Sequence, residues 1–180
     1  MAYLVTGLVL AVCVVGYYYN GLVRLRNQGN ESWSGIDVQL KRRYDLVPNL
    51  VEAVKGYAGH EKEVLQRLVE ARNSAVACSN VEERAKAEDS LTGAFRSIFA
   101  LSEAYPDLKA SEGFRDLQKS LIEVEDHIQL ARRYYNAVVR DLNTACESFP
   151  SVIVASLFGF KQRQFFQIEE SERAAVSVKL

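Results

Sequence analysis

No charged side chain occurs between Ala2 and Val23. Leu4, Leu8, Val12 and Val15 lie within this stretch, whose 22 residues would make a helix about 33 Å long, enough to cross the hydrocarbon core of a bilayer. The stretch also lacks the marks of a cleaved leader. No Lys or Arg precedes it, and Tyr17, Tyr18 and Tyr19 stand where small residues would precede cleavage. Three tyrosines there read instead as an interfacial aromatic belt. A lipoprotein reading of Leu10-Ala11-Val12-Cys13 is disfavoured by bulky Val12 next to the cysteine. An uncleaved anchor over residues 1–23 is expected, spanning from Ala2 to beyond Tyr19.

Proline and glycine are scarce, at 3 and 10 in 180 residues, which leaves few turns for a sheet-rich fold. Charge of either sign is not in excess: 22 basic and 23 acidic residues give a net charge of −1, so no broad field favours nucleic acid. The three cysteines, Cys13, Cys78 and Cys146, match no zinc or redox spacing and are expected to serve as small buried hydrophobes. About 157 residues follow the span, enough for one domain burying roughly two-thirds of its unfolded surface.

What is present is helical periodicity. Alternating steps of three and four from Phe114 reach Leu117, Leu121, Val124, Ile128, Ala131, Tyr135, Val138, Leu142 and Ala145, and the charged residues fall elsewhere. This is one long helix with a narrow seam, as in a bundle or coiled coil, capped by Ser111 and ended by Phe149-Pro150. Upstream, Trp33, Ile36, Leu40, Tyr44, Val47, Val51, Val54 and Ala58 form a stripe from about Glu31 to Tyr57, bent at Pro48. Val64, Leu68, Ala71, Ala75 and Cys78 form a second. Ala87, Leu91, Ala94, Ile98, Leu101 and Tyr105 form a third, opened by a capping box at Asn80-Val81-Glu82-Glu83 and closed by Tyr105-Pro106-Asp107. The expected fold is all-α: an N-terminal transmembrane helix, then an antiparallel four-helix bundle over residues 24–180.

No arrangement of residues points to catalysis. The serines lack a nucleophile elbow, and Gly56-Tyr57-Ala58-Gly59 lacks the Lys-Ser/Thr of a phosphate loop. Glu123, Asp126 and His127 could share a metal, but the paired Glu-x-x-His motifs of a di-metal bundle are missing, so a solvated surface is expected. His60 with Glu61 and Glu63 reads as the charged start of a helix. Glu82, Glu83, Glu88, Arg132, Arg133 and Arg140 read as helix surfaces, without the aromatic interleaving of a nucleic-acid stripe. No catalytic residue, cofactor or metal is assigned.

Arg24 and Arg26 follow the span, and no Lys or Arg precedes it, so the positive-inside rule puts the N-terminus outside and the domain in the cytoplasm. Lys41-Arg42-Arg43 adds to this bias or is a solvated helix face. The tail, about residues 150–166, is densely apolar. Its Leu157, Phe158, Phe160, Phe165 and Phe166 either cap the bundle or meet lipid, a partner's groove or a second copy. Gly7 and Ala11, four apart in the span, would permit close approach of helices.

The chain closely resembles the LemA family of bacterial membrane proteins. The resemblance rests on Tyr19-Asn20-Gly21-Leu22-Val23-Arg24 leading to Trp33-Ser34-Gly35-Ile36-Asp37, then Asp45-Leu46-Val47-Pro48-Asn49-Leu50-Val51-Glu52-Ala53-Val54. Glu103-Ala104-Tyr105-Pro106-Asp107, Ala131-Arg132-Arg133-Tyr134-Tyr135-Asn136 and Phe149-Pro150-Ser151 extend it to about Phe166. It implies one N-terminal span, a short exterior N-terminus and a four-helix bundle, and no established chemistry. A magnetosome-associated relative suggests that some members of the family help shape or organise a specialised membrane. Gly29 and Ser32 depart from the small or apolar helix formers expected there, which leaves the continuity of span and bundle open.

The function these readings favour is a non-enzymatic membrane-anchored scaffold that self-associates or organises other membrane proteins. The alternative is an accessory subunit of a membrane protease or envelope-stress system. A hydrolytic or metal-dependent enzyme is the third reading, and stoichiometric bound metal would be its mark.

Overall fold

The computed structural model describes residues 1–78 and 80–166. The last part of the domain expected over 24–180 lies outside the described residues. Among those described there is no strand, and the chain is all-α, with six helices: α1 Ala2–Ala58, α2 Lys62–Ala77, α3 Val81–Glu103, α4 Pro106–Ala110, α5 Glu112–Glu147 and α6 Ser151–Leu157. Sequence periodicity accounts for the span and four further helices; α4 and α6 are additions, and the span and first stripe are one unbroken helix.

Gly29 and Ser32 do not interrupt α1. The Ser32 hydroxyl donates to the Gly29 carbonyl at 3.1 Å, so its polar group is satisfied inside the helix. Gly29 is buried, and a Cβ there would stand 2.8 Å from Nη1 of Arg163. The glycine thus makes room for a side chain crossing the helix. Pro48 also lies inside α1, where its ring and missing N–H remove one ladder bond without ending the helix.

The chain divides into two compact units. One comprises Met1–Asp37 and Gln129–Phe165; the other comprises Val38–Ile128 and, among the described residues, Phe166. In the second, Val47, Leu50 and Val54 of α1, Leu65 and Leu68 of α2, Leu91, Phe95 and Ile98 of α3, Leu108 of α4 and Phe114 and Leu121 of α5 share one core. Asn80 caps α3, its Oδ1 accepting from the Glu83 N–H at 2.8 Å, as the capping sequence requires. α3 ends at Glu103 rather than Tyr105. Pro106 then opens α4 at a position where a missing N–H costs nothing.

In the first unit a smaller core joins Leu22 of α1, Leu142 of α5 and Val154 and Ala155 of α6, with Val15, Tyr18, Leu25, Ala145, Cys146 and Phe160 around it. Trp33 meets Tyr135 edge-on, with ring centroids 5.3 Å apart. Every seam position expected on α5 is buried or half-buried, from Phe114 to Ala145. The cysteines are free, and none is fully buried: Cys13 is exposed, Cys78 and Cys146 half-buried.

Candidate functional site

Residues 1–14 are exposed throughout, although they include Leu4, Leu8, Leu10, Val12 and Val14. Water would not tolerate so continuous an apolar surface. α1 is the single described helix long and apolar enough to cross a membrane. Of the expected span residues, Ala2, Leu4, Leu8 and Val12 are open on all sides. From Val15 one face of α1 turns inward, and Leu22 is fully buried.

What covers that face is the tail. Tyr19 meets the rings of Phe158 and Phe160 at 4.8 and 5.8 Å, and the Arg26 guanidinium lies 5.3 Å from the Phe160 centroid. Leu157, Phe158 and Phe165 remain exposed, Phe160 is half-buried and Phe166 is fully buried. The five candidate interaction residues therefore do not form one open patch. Phe160 packs within its own chain because α6 turns it toward α1, and Phe166 is enclosed.

The segment after α6 is fastened by polar groups. Asn143 acts as a surrogate strand: its Nδ2 donates to the Arg163 carbonyl and its Oδ1 accepts from the Arg163 N–H, both at 2.9 Å. The Tyr135 hydroxyl donates to the Gln164 carbonyl at 3.0 Å, and Arg163 Nη2 donates to Asn30 Oδ1 at 2.6 Å. Asn143→Ala removes two bonds to one backbone residue, a loss of about 1–3 kcal/mol. Limited trypsin digestion should then cut after Lys161 or Arg163 sooner than in the parent; an unchanged rate would show the clasp to be idle.

The second unit holds a buried charge cluster that sequence reading placed on the surface. Arg43 is 3% exposed and Glu88 0%. Arg43 Nη1 donates to Glu88 Oε2 at 2.8 Å, and Nη2 pairs with Glu125 at 3.0 Å and with Thr92 Oγ1 at 2.6 Å. The Tyr44 hydroxyl donates to the other Glu88 oxygen, and the guanidinium lies 5.2 Å from the Phe95 centroid. Burial, then the bond to Glu88, pushes the Tyr44 phenol well above its ordinary value, so it serves as a hydrogen-bond donor and not as a base. Both Glu88 oxygens are thus occupied by donors of the protein's own core. The readings of Arg43 and Glu88 as solvated surface are corrected, because both point into the packed side of their helices. Arg132 is also buried, whereas Lys41, Arg42, Glu82, Glu83, Arg133 and Arg140 are exposed.

Glu123, Asp126 and His127 are exposed on α5, and no group of three or more His, Cys, Asp or Glu is placed to hold a metal among the described residues. Glu61 immediately precedes α2 and accepts from the Tyr105 hydroxyl at 3.2 Å, tying the start of α2 to the end of α3.

The family model for LemA matches residues 32–180, most of the chain. The chain belongs to the LemA family. It is similar to Protein LemA of Metamycoplasma hominis, 28% identical over 92% of this chain and 79% of the relative. The magnetosome protein MamQ of Magnetospirillum gryphiswaldense is 23% identical over 92% of this chain and 71% of its own length. MamQ 2 of Paramagnetospirillum magneticum is 24% identical over 83% of this chain, which spans 64% of that relative. The open apolar helix of this LemA-family chain supports a membrane protein.

Proposed function

We propose that this LemA-family chain is a non-enzymatic scaffold held in a bacterial cell membrane by α1, with its helical domain on the cytoplasmic side, where it self-associates or organises other membrane proteins. The observation that carries the reading is that one unbroken helix supplies both the exposed apolar segment and core residues of the domain. Arg24 and Arg26, exposed just beyond the apolar segment, support the cytoplasmic orientation. Gly7 has open space around it, and with Ala11 gives the span a face on which a second helix can approach closely. Confinement to a surface raises local concentration, so weak contacts suffice to assemble copies. The magnetosome proteins among its relatives support a role in ordering a membrane.

Affinity capture of the tagged full chain in mild detergent, followed by mass spectrometry, tests this. The expected result is recovery of untagged copies of the same chain, with or without further membrane proteins. Consistent recovery of a membrane protease without other copies would favour an accessory role and contradict self-association.

A further inference from the structure

The apolar segment that stands free of the domain is too short for a bilayer. Ala2–Val14 is 13 residues, about 20 Å of helix against a hydrocarbon core of about 30 Å. The missing length is supplied by residues from Val15 onward, and these carry α6 and the end of α5 against one face, packed on Leu22. Whatever covers that part of α1 must enter the membrane with it.

The covering elements are built for that environment. From Ser148 to Phe160 the chain has no charged residue. α6 buries Val154 and Ala155 against the span side, while Ile153 is 60% exposed, Leu157 72% and Phe149 81%. Phe158 is half open and continues the aromatic group of Tyr19. Charge returns after both segments: Arg24 and Arg26 follow the span, and Lys161 follows Phe160. Arg26 lies over Phe160, which fixes the two segments side by side. An apolar face continuous with a span and bordered by exposed charged groups, Arg24, Arg26 and Lys161 together with Glu147, matches a segment sunk among acyl chains with its ends at the headgroup layer.

We infer that α6 is a second membrane element: a short wedge that lies beside α1 in the leaflet nearer the domain, with Phe149, Ile153, Leu157 and Phe158 in contact with lipid. The inference rests on the reading of α1 as a span. Because it occupies one leaflet only, the wedge adds area to that side of the bilayer. It also accounts for the exposure of Phe149, Ile153, Leu157 and Phe158 without a protein partner.

The test uses full-length protein in which Trp33→Phe removes the native tryptophan, with one tryptophan returned as Ile153→Trp, Leu157→Trp, Val9→Trp or Tyr134→Trp. Each is reconstituted into vesicles of phosphatidylcholine and phosphatidylglycerol with plain or brominated acyl chains. Tryptophan at 9, 153 and 157 should lose most of its emission to the brominated lipid, while that at 134, exposed on α5, should respond only to aqueous iodide. Quenching at 9 with none at 153 and 157 would overturn the wedge and leave the span intact. Protection of 153 and 157 from both quenchers would mean that protein covers this face, and would also overturn it. A bright tryptophan at 9 in brominated vesicles would overturn the span and the wedge together.

Discussion

Glu88→Ala should destabilise the protein by about 3–5 kcal/mol, although sequence reading puts this residue on a solvated surface. The substitution leaves the Arg43 guanidinium 3% exposed with its shortest carboxylate partner gone, and removes the acceptor of the Tyr44 hydroxyl. Breaking a buried pair from one side costs about that much because the surviving charge stays desolvated. Glu125 cannot fully substitute: it pairs with the other guanidinium nitrogen and is itself partly open to water. Replacing both partners, as Arg43→Met with Glu88→Leu, should recover the part of the loss due to the stranded guanidinium, since an apolar pair of similar volume needs no compensating charge, while the Tyr44 hydroxyl stays without its acceptor. Urea unfolding of the full chain in detergent, followed by far-UV circular dichroism, measures both. A Glu88→Ala midpoint equal to that of the parent would mean that the cluster contributes nothing.

Ile128→Ala and Leu121→Ala should each cost about 2–5 kcal/mol, the range for removing a buried aliphatic side chain and leaving part of its volume empty. Ile128 is completely enclosed and Leu121 nearly so, on the seam of α5. Glu123 and Asp126, on the open side of the same helix, should tolerate alanine within about 0.5 kcal/mol. The same unfolding measurement ranks the four. If the two carboxylates proved more costly than the two aliphatics, the burial assigned to α5 would be wrong.

The seam of α5 is legible in the sequence because ten apolar positions recur at helical spacing with no charge among them, and the structure buries or half-buries each one. Arg43 and Glu88 escape that reading because a charge is taken for a solvated face. Position supplied the missing signal: Arg43 falls between Leu40 and Val47 on the row that runs from Ile36 through Leu50 to Val54, and Glu88 between Ala85 and Leu91 on the buried side of α3. Opposite charges on two buried faces are a reason to expect a pair. Choosing Tyr44 for the stripe instead of Arg43 shifted it by one residue and hid this. The fastening of the tail is illegible for a different reason. Asn143 and Arg163 are 20 residues apart, and no periodicity announces a side chain that pairs with backbone across a turn. Gly29 is the converse case, a local weakness in α1 whose use shows only once Arg163 crosses it.

In the proposed function α1 both spans the membrane and carries the domain on its cytoplasmic side. The most direct measurement fuses two reporters in parallel after Leu180 of the full-length chain in bacterial cells, one fluorescent only in the cytoplasm and one enzymatically active only outside it. The expected result is a fluorescent fusion in the membrane fraction and an inactive external reporter. An active external reporter with a dark cytoplasmic one, or a fluorescent fusion that leaves the membrane on alkaline extraction, would contradict it.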